Sequence, residues 1–243
     1  DIDIDIDEIE FINYSIINKK PQFKFGDTLP NGSGFTREFN LRIEQIIKQF
    51  IGKETQNHFV AKLIDEKHEN CNDSCHLCLN DYRTLRFNGL LNWKLGLSYI
   101  RLLSDDHYLF GLNGDFNYPE LKQWQIWFEN EKCDLLDEFY NAFNLDQVEF
   151  TKEKMKWTEG ENNGFLFYLK TSNPDKDTHY MIVSHPMWDR NEFIHHSKIF
   201  HKAFFSLNHD EQIDAKFIHL IDTFNLRSRP GWCYKKIFDF IYE

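Results

Sequence analysis

The sequence predicts an α+β fold, mostly helical with short strands, in which a metal-binding knuckle stands at the start of a buried helix. Three observations predict it. Alternating apolar runs at Phe23 and Phe25, at 164–171 and at 179–186 have the period of strands. Longer stretches with apolar residues at helical spacing occupy 36–51, 90–103 and 119–143. Between the first two of these helices lies "HENCNDSCHLCLNDYR", which holds three of the chain's five cysteines as C-x3-C-x2-C at Cys71, Cys75 and Cys78.

Taken in order, "DIDIDIDEIEF" alternates Asp and Ile, the pattern of a strand with one buried face or of an acidic tail. "PQFKFGDTLPNGSGF" places a short strand before a turn-rich loop at 27–34, and Thr36 or Ser33 is the expected cap of the helix that follows and ends at Gly52. Gly32 and Gly34 expose backbone N–H groups ahead of a helix, as a phosphate cradle does. No Gly-Lys-Ser/Thr follows, so a tight structural turn is the stronger reading. The stretch "LLNWKLGLSYIRLL" sets Leu91, Leu95, Tyr99 and Leu102 on one face and reads as a mostly buried helix entered directly from the cysteines. Pro119 and Glu120 open one or two aromatic-rich helices to Phe143. Two strands linked by "SNPDKD" follow, then helical patterns at 192–207 and 211–222 and a short closing segment after "RSRPGW". The expected domains are 1–110, carrying the strand, glycine loop, helix and metal module, and 111–243, an aromatic-rich α+β region.

A 243-residue chain with 41% hydrophobic and 16% aromatic residues buries a sizeable core and is not disordered. Its 39 acidic residues against 28 basic ones give a net charge of -11, which confines any contact with DNA to a small basic face. Arg83 and Arg86 after the cysteines, Arg101, and Arg227 with Arg229 are the basic spots, the first pair flanked by Tyr82 and Phe87 for stacking. No stretch reaches the roughly 18 apolar residues of a membrane span and no apolar leader opens the chain, so a soluble cytoplasmic protein without a membrane partner is expected.

Three cysteines cannot all pair among themselves, whereas three thiolates converging with one more donor make the closed tetrahedron that zinc prefers. The fourth ligand expected is His68, three residues before Cys71; Cys133, His58, Cys233 and a water compete for the position, and tight chelate geometry turns His76 away. The histidines of "SHPMWDRNEFIHHSKIFH" suggest a rival, a metal-dependent nuclease in the second half of the chain, and a pure protein-interaction module is a further alternative. The nuclease patterns are incomplete. "HSK" at 196–198 has Ala203 where the phospholipase-D-like motif needs Asp, and Asp214-Ala215-Lys216 sits in a helical pattern rather than on a strand. No catalytic constellation stands out.

"SCHLCLNDYRTLRFNGLLNWKLGL" resembles the MrfA-type zinc-binding domain at the C-terminus of certain DEAD/DEAH-box DNA helicases. "FGDTLPNGSGFTREF" looks like the same family's upstream element, and the two stand in the family's order across roughly residues 20 to 103. The later "VSHPMWD" and "DTFNLRSRPGW" are similar to tails of helicase-related proteins in bacterial antiphage systems of the DISARM and Druantia kind. The resemblance implies that Cys71, Cys75 and Cys78 ligate zinc, that Asp27, Gly32 and Gly34 hold structural positions, and that the chain supports DNA binding or unwinding by an ATP-dependent motor domain or subunit. Asn92 stands where the family often has Asp, and an upstream fourth Cys is absent. No Walker A lysine motif or Asp-Glu-x-His/Asp box occurs, so the residues for ATP hydrolysis would lie elsewhere.

Overall fold

The computed structural model describes residues 9–17, 20–51, 58–82, 84–105, 107–148, 150–159, 162–171, 177–188 and 217–242. The fold is mixed α+β. Contacts divide the chain into two compact units, 1–61 and 62–243; position 110 lies within the second, and so does the cysteine loop.

In the first unit β1 (Ile9–Ile17) pairs antiparallel with β2 (Lys20–Asp27), with a register shift between Phe11 and Asn13. The helix α1 (Phe35–Ile51) joins the hairpin through aromatic contacts, Phe25 lying 5.8 Å from both Phe11 and Phe39. Neither Thr36 nor Ser33 supplies the side-chain cap. The carboxylate of Asp27 does, accepting from the N–H of Gly34 at 2.8 Å, from the N–H of Thr36 at 2.7 Å and from the Thr36 hydroxyl at 2.6 Å. Gly32 and Gly34 adopt φ of 70° and 84°, which bends the loop back over that carboxylate. The glycine loop therefore already holds an anion at the helix N-terminus, and the anion is the chain's own Asp27. These bonds keep Asp27 below the ordinary carboxylate range, the Thr36 hydroxyl contributing most. The helix α2 (His58–Leu63) runs across the boundary between the units.

The second unit is built on a four-stranded sheet in the order β3 (Phe150–Glu159), β4 (Asn162–Thr171), β5 (Tyr180–Ser184), β6 (Ile218–Asp222). The first three strands pair antiparallel, and β6 joins β5 parallel, Tyr180 opposite Ile218 and Ser184 opposite Asp222. All five residues of β5 are buried, as a strand covered on both faces requires. The helical pattern expected at 211–222 is corrected over its last five residues, which form β6. "IHLID" is too short to fix a period by itself, and its pairing with β5 decides the matter. The helix expected at 192–207 and the histidines His195, His196 and His201 lie outside the described residues.

Around the sheet stand α3 (Trp93–Ser104), α4 (Lys122–Glu129), α5 (Asp134–Ala142), α6 (Thr223–Ser228) and α7 (Pro230–Tyr242). The expected aromatic stretch is thus two helices, and the closing segment is a full helix opened by Pro230 at its first position. Trp127, Phe139, Leu166, Met181, Ile182 and Ile237 share one core with Phe110, which is fully buried. At roughly 2 kcal/mol for each large apolar side chain withdrawn from water, this layer dominates the stability of the unit. The edge strand β3 carries Lys152 and Lys154, which pair with Asp137 at 2.5 Å and Glu131 at 2.7 Å; lysines on an edge discourage pairing with another chain.

One charged pair sits inside. Arg101 on α3 and Glu120 ahead of α4 form a buried ion pair, and the Tyr108 hydroxyl donates to the same carboxylate at 3.1 Å. The expectation that Arg101 is a basic surface spot is therefore corrected: its guanidinium is committed to Glu120 and lies over the Tyr118 ring at 4.6 Å. Among the described residues, no helix is long and apolar enough to cross a membrane.

Candidate metal centre

The segment between α2 and α3 has little regular structure, because Asn, Asp, Ser and Cys side chains compete there for the backbone's hydrogen bonds. A short 3-10 turn, Glu66–His68, is opened by Asp65, whose carboxylate accepts from the N–H of Lys67 at 2.8 Å. The turn delivers His68 into the interior, only 2% exposed, where a polar ring needs partners. One nitrogen has its partner. Nδ1 lies 2.9 Å from the carbonyl of Leu63, and because a carbonyl only accepts, Nδ1 carries the proton. In the neutral ring this leaves the lone pair on Nε2. Among the described residues this buried Nε2 has no protein partner.

Three sulfurs lie close to the ring. His68, Cys71, Cys75 and Cys78 each offer a ligand atom, and all of these atoms lie within 4.8 Å of one another. The Cys71 and Cys78 sulfurs are 4.0 Å apart and those of Cys75 and Cys78 are 3.9 Å apart. A metal–sulfur bond of about 2.3 Å in a tetrahedral centre puts two sulfurs roughly 3.8 Å apart, so the spacing suits an ion at the middle. The cluster can hold a metal ion.

The backbone shapes this cluster. The amide of Cys75 donates to the Cys78 sulfur at 3.2 Å and that of Leu77 to the Cys75 sulfur at 3.4 Å, while the N–H groups of Cys78 and Asn80 close the turn on the Cys75 carbonyl. Without a cation the three thiols disagree over charge. Desolvation and the neighbouring sulfurs push Cys71 up to about 12, and desolvation raises Cys78. Desolvation also works against ionising Cys75, yet the Leu77 amide and the other two thiols hold it below the ordinary thiol range. A bound divalent ion would reverse this, since it would stabilise all three thiolates at once.

The site is tied to α3 by a contact that spacing alone did not reveal. The Trp93 indole N–H donates to the Cys71 carbonyl at 3.0 Å, and the Trp93 ring lies 5.4 Å from that of His68. Asn92 caps the helix by accepting from Leu95 at 2.8 Å and reaches back to Asp73 at 2.7 Å. Loop and helix are thus one hydrogen-bonded piece.

Both competing cysteines stand elsewhere. Cys133 and Cys233 are buried in the hydrophobic core, where desolvation raises both thiols. His76 is exposed and outside the group of four, and the side chain of His58 is not among those described. Of the nuclease histidines only His185 is described; it is buried, stacked on Phe110 at 5.0 Å, and its Nδ1 accepts from the Met187 amide at 3.1 Å. Of the arginines, Arg86 is exposed with its guanidinium 4.7 Å above Phe87, and Tyr82, four positions earlier, is exposed as well. Arg83 lies outside the described residues. Arg229 is exposed, bonded to Asn225 at 2.8 Å and lying over Trp232, whereas Arg227 is half-buried.

No family model, no curated protein and no solved structure matches the chain.

Proposed function

We propose that residues His68, Cys71, Cys75 and Cys78 bind a structural zinc ion, and that the zinc-stapled region is a non-catalytic accessory part of a DNA helicase system of the antiphage kind. The observation that carries the zinc reading is the buried Nε2 of His68, which has no hydrogen-bond partner among the described residues, in a ring that offers a ligand atom within 4.8 Å of the Cys71, Cys75 and Cys78 sulfurs. Zinc is favoured over harder ions because the donors are thiolates and an imidazole, and a structural over a catalytic role because four protein ligands close the coordination shell. What supports the helicase reading is the resemblance of residues 20 to 103. Arg86 with Tyr82, both exposed just after the metal loop, are the residues best disposed to touch a phosphate backbone and a base.

Metal analysis of the purified chain is expected to find about one zinc per chain. Stripping it with a strong chelator should shift the emission of Trp93 to the red, because the indole loses its anchor on the cysteine loop. A metal-free chain with unchanged emission and unchanged melting ends the zinc reading. For the second part, a tagged chain isolated from its source cells should bring down a protein with helicase ATPase motifs. Arg86→Ala should weaken the assembly's DNA binding and lower its salt slope. Retrieval without any such ATPase, or an unaltered slope, would count against the helicase role and leave the zinc result standing.

A further inference from the structure

The last helix, α7, buries Cys233 and Ile237 in the core and leaves Trp232, Lys235 and Lys236 exposed. Trp93, Trp124, Trp127 and Trp188 are all buried, whereas Trp232 is 45% exposed, so this ring is not there to fill the interior. Cations surround it. The Arg229 guanidinium lies over the ring at 5.3 Å from its centre and the Lys236 ammonium at 4.8 Å, and the same ammonium lies 5.7 Å from the centre of Phe240. Phe240 stacks in turn on His219 of β6, ring centres 4.1 Å apart and planes 10° from parallel. Arg229, Trp232, Lys236 and Phe240 recur at steps of three and four residues, which places them in one stripe about 16 Å long at 1.5 Å per residue.

Charge supplies a second observation. In a chain where acids outnumber bases by 39 to 28, residues 227–236 hold Arg227, Arg229, Lys235 and Lys236 and no acid. Among the described residues the exposed cations Arg229, Lys235 and Lys236 form no ion pair. Elsewhere on this unit Lys122, Lys132, Lys152 and Lys154 each meet a carboxylate. The hydrogen bond that Arg229 does make, at 2.8 Å, goes to the neutral side chain of Asn225. Asp239 lies three positions beyond Lys236 and pairs with neither lysine. The stripe thus offers aromatic faces and uncompensated positive charge together, the complement of a partner that carries flat rings along an anionic chain.

We propose that this stripe binds a single-stranded nucleic acid, a base stacking on Trp232 while the flanking phosphates meet Arg229, Lys235 and Lys236. Stacking requires one cation to leave the ring. Arg229 is anchored by Asn225, whereas Lys236 is held only by the two rings, so Lys236 is the one that moves. A cation over an exposed ring is worth a factor of about 2–5 in equilibrium and a stacked base a factor of about 5–150, so the base prevails, and the released ammonium gains a phosphate. The strand must be single because paired bases already have both faces covered within the duplex. A membrane surface fits less well, since Lys236 stands between Trp232 and Phe240 and the apolar groups are not gathered on one side. This surface is distinct in sequence from Arg86 and Tyr82, and the inference needs neither the zinc ion nor the helicase reading.

The test uses the whole chain at low ionic strength with a labelled oligo-dT, a hairpin duplex of equal length and phosphatidylserine vesicles as probes, read by anisotropy and by sedimentation. The chain is expected to bind oligo-dT with quenching of its tryptophan emission. Trp232→Ala should weaken oligo-dT about tenfold, leave the duplex unaffected and melt with the parent, because the ring is exposed. Trp232→Phe should recover most of the affinity and lose the quenching, which separates stacking on this ring from a damaged fold. Arg229→Gln and Lys236→Gln should each reduce the slope of log affinity against log salt by about 0.7, and Lys132→Gln, an exposed cation paired with Asp134, should change nothing. No binding of oligo-dT by the parent overturns the proposal, as does a Trp232→Ala protein that binds like the parent or loses oligo-dT and duplex alike. Vesicles that bind through Trp232 while oligo-dT does not would assign the stripe to a membrane surface and overturn it too. A single-strand affinity lowered by Arg86→Ala and not by Trp232→Ala removes this surface and leaves the reading of the metal loop in place.

Discussion

His68 and His76 flank the same cysteines and differ in everything that matters for a ligand. His68 is buried, has Nδ1 on the Leu63 carbonyl, leaves Nε2 without a partner among the described residues and lies within the cysteine cluster, whereas His76 is exposed. His68→Ala is therefore expected to lower zinc occupancy after dialysis against a mild chelator and to lower the melting temperature, while His76→Ala leaves both nearly unchanged. Full occupancy in the His68→Ala protein would hand the position to another donor. The spacing of the three cysteines made their convergence readable, and the histidine three residues upstream was within reach of the same loop. The tautomer was not readable, since it depends on where the Leu63 carbonyl points. Arg101 marks the opposite case. Its charge suggested surface, and only the approach of Glu120, 19 positions away, takes it inside. Glu120→Gln leaves that guanidinium buried without a counter-charge and should cost about 3–5 kcal/mol, measured by chemical denaturation. A loss below about 1 kcal/mol would show that water reaches the pair.

Among the elements, α1 shows how an N-terminus is satisfied from a distance. A residue at the usual cap position was the natural expectation, because capping is mostly local. Asp27 lies seven residues before Gly34, and the two positive-φ glycines turn the loop so that its carboxylate arrives where a cap would sit. Since folding lowers the Asp27 pKa, the folded state binds fewer protons there than the unfolded one. Its stabilising effect is therefore present above the ordinary carboxylate range, near pH 4, and is lost as the pH falls through the folded value. Asp27→Asn should lose hydrogen-exchange protection at the Gly34 and Thr36 amides at neutral pH. The gap to the parent should close on acidification below about pH 4. A gap that is constant with pH would mean that the carboxylate charge plays no part. The strands divide along similar lines. β4 and β5 declared themselves by dense runs of apolar residues, but β3, "FTKEKMKWTE", alternates lysines with larger groups, and its charges masked a period of two. Nothing local distinguishes β6 from a helix.

For the whole molecule, the α+β class followed from counting periodic segments, because the numbers of helices and strands are set by local chemistry. Which strands become neighbours is set by contacts between segments far apart in sequence. The net charge of -11 describes the chain as a whole and gives no hint that Lys94 lies near enough to Arg227 to feel its charge. That juxtaposition depends on residues 133 positions apart, 227 less 94, and no pattern within a single helix announces it.

The parallel pairing of β5 with β6 also sets a timetable. The interior strand β5 has a neighbour on one side by residue 171 but lacks the other until residue 218 has been made. During synthesis Met181 and Ile182, fully buried in the finished protein, must wait while more than thirty further residues are added, and pairing strands so far apart in sequence is slow compared with forming a hairpin. Until then β5 offers an apolar edge to any other chain in the same state. A chain cut after residue 216 is expected to keep the β3–β4 hairpin signal yet collect in the insoluble fraction, and supplying 217–243 as a separate peptide during refolding should restore soluble material. A soluble, monomeric truncation that melts cooperatively would show that the sheet does not need its last strand to close.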